Sequence, residues 1–429
     1  MADELAIPAP EAPALEGTSL FQPLRLRDFR LVFAGETISL VGDQFHFIAL
    51  AWLTLQLTSS GLALGSVLMV AAVPRAIFML AGGALSDRLS PRSLMLWSNV
   101  IRGIVVAIVA TLVLTGTAEL WHLFVLALVF GTVDALFYPA INTIVPMLVG
   151  ERLLPPANAL IQGIQQLAGL IGPAAAGVLV AAVNTGPAFV IDAISFGAAA
   201  TALVFVAGGR RRPAEAATDV PPERLLSTIA TGMRYVWTDS PVRSLVLLSA
   251  AINLGFTGPI GVGVPYLADV RFEGGSAAFG IIASGFGAGA LAGAVVAGSL
   301  RYVPRLGTLT GVIMSGLGIG LALLGSAPNV PVAVAVATLI GLGVGFTNVR
   351  VIAWLQARTP EQLRGRVMSV VMLGSVGLAP ISLAASGVII DVGAVTLLFW
   401  LAGGLIVAAA GAGFFMGLPR QMLDTKPAG

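Results

Sequence analysis

The chain contains no cysteine in its 429 residues. Disulfides, zinc–thiolate sites, iron–sulfur clusters and cysteine nucleophiles are thereby excluded. Lysine occurs once, at Lys426, so the phosphate-loop lysine that ATP hydrolysis requires is missing. Only two histidines exist, His46 and His122, too far apart for a zinc-protease pair, and no metal site or other cofactor is expected. No Gly-x-Ser-x-Gly elbow occurs, and nothing resembles a channel filter loop. An enzyme is not expected. Charge is scarce as well: 10% of residues are charged, against about 25% in soluble domains. A soluble chain of this length would need a polar surface that these residues cannot supply.

What is present is apolar. Hydrophobic residues make up 57%, mean hydropathy is +0.95, and 52 glycines suit close helix contacts in lipid. A bilayer core needs about 20 apolar residues per helix. The sequence predicts twelve such spans, at 31–57, 61–85, 94–115, 120–143, 158–183, 187–207, 243–267, 277–300, 307–327, 330–355, 366–390 and 394–417. Residues 1–23, rich in Ala and Pro and with four acids, lack the basic and apolar regions of a signal peptide. They read as a disordered cytosolic tail, with the first span acting as an uncleaved insertion signal.

Charge orients the spans. With the N-terminus inside, cytosolic segments hold 19 of the 23 basic residues, and the exterior holds only Arg271. This asymmetry places both termini in the cytosol. The pI near 9.4 does not indicate nucleic acid, because the positive charge is dispersed over short loops.

The chain repeats weakly. Glu151 and Leu153 after span 4 align with Glu361 and Leu363 after span 10, and Arg88, Pro91 and Arg92 align with Arg301, Pro304 and Arg305. Asp87 falls opposite Leu300, so the second copy lacks the acid. Two six-helix units follow, 24–207 and 243–419, with a joint at 208–242 and a C-terminal tail at 420–429. The joint opens on Arg210, Arg211 and Arg212. Its stretch 221–237 then places Leu225, Ile229, Met233 and Trp237 on one face, as an interfacial or plain linker helix would.

The stretch Gly82–Arg92, with Gly83, Leu85, Asp87, Arg88, Pro91 and Arg92 in order between two apolar runs, resembles the loop 2–3 signature of major facilitator superfamily transporters. Residues 24–30, 38–44, 232–237 and 360–368 are similar to the bacterial drug and siderophore exporters of that superfamily, including enterobactin exporters and macrolide efflux pumps. The resemblance covers nearly the whole chain after the tail. It implies an all-α membrane protein of the major facilitator fold, with twelve helices in two pseudo-symmetric bundles. It also implies a monomer in the inner (plasma) membrane that exports a small hydrophobic or amphipathic molecule by proton antiport. An importer or facilitator of a metabolite or lipid-like solute, or a transport-inactive sensor, are the alternatives on the same fold. By the same resemblance, Asp87 is expected to cap span 11 near Gly365 and Arg366 as a gate latch. Residues 169–177, with Gly172, Pro173 and Gly177, are similar to the superfamily's antiporter motif. Span 4 carries Asp134 and no Arg, which departs from the antiporter pattern.

Polar residues inside spans are costly and mark function or pairing. Glu36, Ser39, Asp43 and His46 share one face of span 1. Asp43 lies 12 residues past Leu31, roughly 18 Å along the helix and near the midplane. Asp43, Asp134 and Glu36 are the candidate proton-coupling acids, with Arg75 or Arg102 as partners. Arg75, Asn99, Arg102, Tyr138, Gln162, Gln165, Gln166, Asn253, Asn348 and Arg350 are the candidate cavity residues; the glutamines serve equally as interhelical glue, and Arg350 lies close enough to the inner end to pair with loop acids. Asp192, early in span 6, is expected at the membrane interface.

Overall fold

The computed structural model describes residues 19–86, 90–209, 233–234, 236–300, 303, 305–359, 363, 367–368, 370–371, 374 and 377–415, with the side chains of 79–86, 240 and 241 excepted. The tail 1–18, Asp87 and Arg88, most of the joint, Gly365 and Arg366, and residues 416–429 lie outside this set, and so do the readings that rest on them.

The described residues are almost wholly helical. Ten helices are long and apolar enough to cross a membrane, and Ala379–Val392 is a shorter apolar one. One of the ten, Leu120–Ala182, has 63 residues, too long for a single crossing. It breaks at Gly150, where φ is 70° and ψ is 169°. Only glycine adopts that backbone freely. Twelve spans result: α1 (Arg27–Thr58), α2 (Gly61–Ser86), α3 (Pro91–Leu114), α4 (120–149), α5 (151–182), α6 (Thr185–Val204), α7, α8 (Gly275–Ser299), α9 (Leu306–Gly325), α10 (Val330–Arg358), α11 (Ala379–Val392) and α12 (Val395–Phe415). The loop expected at 144–157 is therefore helix apart from Gly150. Residues beyond the bilayer need not be apolar to be helical, so hydropathy alone placed that boundary wrongly.

Several helices begin where a short polar side chain meets a proline. Ser90 accepts from Ser93 N–H with Pro91 following, Asp239 accepts from Val242 N–H ahead of α7, and Asn329 accepts from Val332 N–H ahead of α10. Each oxygen satisfies an orphan N–H of the first turn, and the proline sits where no N–H is needed.

α7 comprises Ser240–Gly258, a π-turn at Pro259–Gly263 and Val264–Arg271. The Ser382 hydroxyl of α11 enters its ladder. It accepts from Gly258 N–H at 2.8 Å and donates to the Leu254 carbonyl at 2.6 Å. The two groups that an α-helix would join directly are joined through a neighbour's side chain, a recognised cause of helix bending.

Packing repeats with a period of six helices. α1 with α6, α3 with α6 and α2 with α4 pack as α7 with α12, α9 with α12 and α8 with α10. Contacts between the halves run through α2–α11 and α5–α8, pairs that exchange under the same relation. This is the two-bundle architecture expected of parallel repeats.

Candidate functional site

The first half holds a buried charge cluster. Arg102 of α3 is 3% exposed. It donates to Asp134 Oδ1 of α4 at 3.0 Å, to Asn99 Oδ1 at 3.2 Å and to the Ser98 carbonyl. Its guanidinium lies 4.7 Å from the Phe137 ring centroid and 4.5 Å from that of Phe196. Arg75 of α2 reaches the other Asp134 oxygen at 3.8 Å and lies over Tyr138. The expected partners thus converge on Asp134, not on Asp43. Glu36 and Asp43 face the cluster from α1: both interact electrostatically with Arg102 and Asp134. A buried ion pair is retained only with good geometry and further hydrogen bonds, and Arg102 has both.

A second pair lies beside it. His46 Nδ1 is 3.0 Å from Asp192 Oδ2, with Asp192 fully buried. The His46 ring stacks on Phe130 at 4.1 Å and meets Phe189 edge-on. Asp192, expected at the membrane interface, is thus buried within the helix packing and paired with His46. α6 packs against α1 so closely that a Cβ on Gly42 would lie 2.9 Å from Asp192 Oδ1. Sequence position gives depth along a helix but not the helix face that a neighbour covers.

Two cavities adjoin the contact between the halves and the second half. One, of about 270 Å³, lies between the halves, walled by Gln44, Gln166 and Pro173 on one side and by Phe279, Phe286 and Ile340 on the other. The other, of about 370 Å³, lies among α7, α9, α10 and Val371. It brings Asn253 and Asn348 together with Ser249, Thr310 and Thr347 in an otherwise apolar wall. Its described lining has amides and hydroxyls but no charged side chain. Gln162 is exposed and Gln165 half-buried, and neither lines these cavities. Arg350 donates to the Leu300 carbonyl just past α8. That contact sets it on a helix C-terminus, where a cation is favoured.

The halves are sealed at the end that carries the 1–2 and 11–12 turns. Asp391 accepts from Ser60 Oγ at 2.6 Å and from Gly61 N–H at 2.8 Å, at the start of α2. Backbones touch here: a Cβ on Gly65 would lie 2.6 Å from the Leu383 carbonyl oxygen. The α5 motif belongs to the same seal. Gly177 meets Gly280, Ser276 donates to the Gly177 carbonyl at 3.2 Å, and Ala174 N–H donates to Ser284 Oγ at 2.9 Å. Gly172 leaves room for the Gln44 side chain, since a Cβ there would lie 2.6 Å from that of Gln44. At the opposite end Arg92 donates to the Leu203 and Val204 carbonyls, both at 2.8 Å, and Asp28 accepts from Ala207 and Gly208 N–H. These bonds tie the starts of α1 and α3 to the end of α6 within one half. Asp28, Ser284, Ser382 and Asp391 carry no sequence signal of these roles, because each acts on a helix remote in the chain.

The profile of the transmembrane secretion effector family matches residues 18–428. The chain belongs to this family of major facilitator superfamily transporters. The family places it among multi-pass membrane transporters and outside the enzymes. Among curated relatives, this family member is 26% identical to the multidrug efflux pump Tap of Mycolicibacterium fortuitum over 380 residues, 86% of this chain and 89% of that one. It is 24% identical to macrolide efflux protein A of Streptococcus pyogenes, over 89% of this chain and 94% of that one. Solved structures share the fold. A POT family transporter in complex with 5-aminolevulinic acid superposes with a TM-score of 0.71 at 14% identity, over 92% of this chain and 96% of that one. A bacterial homologue of the iron transporter ferroportin in its inward-facing state gives 0.63 at 18% identity, over 91% and 98%.

Proposed function

We propose that the protein is a secondary active exporter of hydrophobic or amphipathic small molecules, of drug or siderophore type, in the plasma membrane. Both termini are cytoplasmic, and the two halves rock about a central site in exchange for protons. The observation that carries this reading is similarity over more than four-fifths of the chain to two pumps named for drug efflux. The site is consistent with it. A cavity of about 370 Å³ lies within the usual size range for small-molecule sites. Its apolar wall suits a solute drawn from lipid, and Asn253 and Asn348 supply orienting hydrogen bonds. With the termini inside, the seal through Asp391 and Gly177 lies at the exterior end, as a conformation closed to the outside requires. Glu36 and Asp43, which interact electrostatically with Arg102 and Asp134, are the acids proposed to carry the proton.

The test is efflux of erythromycin, a macrolide, from cells expressing the protein. Expression is expected to lower steady-state erythromycin, and a protonophore is expected to abolish the difference. Equal accumulation with and without the protein, over a panel of macrolides and cationic dyes, would remove the exporter reading.

A further inference from the structure

We propose that His46 and Asp192 form a proton-binding site, a second titratable centre distinct from the Arg102–Asp134 cluster; the inference rests on the proton-driven reading above. Its basis is charge balance in a sealed place. The two side chains are 3.0 Å apart, Asp192 is fully buried and His46 is 8% exposed. Phe130 and Phe189 cover the imidazole. One proton decides the charge of the pair. Neutral imidazole with carboxylate leaves one net negative charge buried, whereas imidazolium with carboxylate is neutral overall. Uncompensated buried charge is costly, so the site has a use for that proton.

Asp192 Oδ1 adds an independent observation. It is buried and has no hydrogen-bond partner among the described residues. A purely structural aspartate would be expected to satisfy both oxygens. Oδ1 points at the α1 backbone beside Gly42, next to Asp43. Asp134, by contrast, is engaged by two arginines.

Geometry also supplies a neighbouring acid. Nδ1 faces Asp192, so Nε2 takes the proton while Nδ1–H donates to Oδ2. Asp43 precedes His46 by three residues, about one helical turn on the same face. Asp43 is thus the acid placed one turn from His46 on α1. Among the charged groups nearby, Asp43 interacts electrostatically with Asp192 and also with Arg102 of α3, Asp134 of α4 and Glu36, and Arg75 of α2 pairs with Asp134. A solute that alters the Arg102 cluster alters the field at Asp43, one turn from His46 and itself in interaction with Asp192. That is the coupling an antiporter needs.

The chain's two histidines make a direct test possible. His122 is half-buried at the start of α4, where its Nδ1 accepts from Glu119 N–H. In a His122→Gln background, the ring nitrogen resonances of the full-length protein in liposomes report on His46 alone. We expect those resonances to report a change of protonation as pH is varied. Saturating erythromycin should displace the transition, and Asp192→Asn should abolish that displacement. A His46 that keeps one charge state throughout overturns the proposal, and this reading needs no transport. The second measurement is pH-gradient-driven erythromycin movement in His46→Leu/Asp192→Leu. Replacing a buried polar pair by apolar residues of similar volume often preserves folding. The proposal expects erythromycin exchange down its gradient to persist while driven accumulation falls to the passive level. Normal driven accumulation by this variant overturns it. A wild type that moves no erythromycin while His46 titrates would instead count against the exporter reading.

Discussion

The bond between Asp391 and the start of α2 is the most exposed part of the seal and the simplest to remove. Asp391→Ala deletes an acceptor for Ser60 Oγ and Gly61 N–H together with a negative charge at a helix N-terminus. A hydrogen bond to a charged group contributes about 1.5–3 kcal/mol when sheltered, and an anion at an exposed helix start about 0.3–1 kcal/mol. Asp391 is exposed and Ser60 half-buried. Solvent screening brings the combined effect down to about 1 kcal/mol. Ser60 also accepts from Ala63 N–H, so α2 keeps its own cap in the variant. The loss therefore falls on the contact between halves, and about 1 kcal/mol corresponds to about a fivefold change in the ratio of closed to open states. The absence of native cysteine permits a clean readout. Leu62 and Val388 are 43% and 47% exposed, on the two sides of the seal. Spin labels on Leu62→Cys and Val388→Cys should show the longer-distance population rise about fivefold relative to the shorter one. An unchanged distance distribution would refute the reasoning, because the contact would then add nothing to closure.

Other outcomes follow from the same geometry. Asp134→Asn removes the carboxylate from two arginines and leaves Arg102 buried with less compensation, which typically costs about 3–5 kcal/mol; thermal unfolding in detergent should show a clear loss of Tm, whereas Asp43→Asn should keep its Tm and lose pH-driven transport. Unaltered pH dependence in both would exclude both acids from coupling. Gly280→Val puts branched carbons into the Pro173–Gly177 contact, so the exterior seal should fail to close, visible as a longer α5–α8 label distance. Asn253→Ala with Asn348→Ala should raise KM for erythromycin about thirtyfold with little change in kcat, given that each hydrogen bond contributes about 1 kcal/mol. A reporter fused after Arg212 should report cytoplasm and one inserted at Gly274 the exterior; the reverse would overturn the proposed orientation.

Much of the architecture is legible in the sequence because a membrane imposes a length and a polarity on each span. Breaks such as Ser59–Gly61 and Ala327–Asn329 coincide with helix ends. The 4–5 connection is not legible, since Pro155 and Pro156 read as a loop yet lie inside the helix that follows Gly150. Arg102, Asp134 and Arg75 are predictable as a set, because buried charges in lipid must find one another. Which acid takes the arginines is not, since that depends on helix rotation. His46 and Asp192 are separated by 146 residues, and no local pattern joins them. Asp391 and Ser382 stay invisible for the same reason: their importance comes from the partner helix.

The Ser382 hydroxyl standing between Leu254 and Gly258 has one more consequence. When it withdraws, the carbonyl and the N–H it bridged are already aligned to bond with each other. Withdrawal of the hydroxyl would thus leave Leu254 C=O and Gly258 N–H, four residues apart, to bond to each other, so neither arrangement need strand a polar group. If the proposed rocking tilts α7, its shape is then set by a key carried on its neighbour, with no polar backbone group left without a partner.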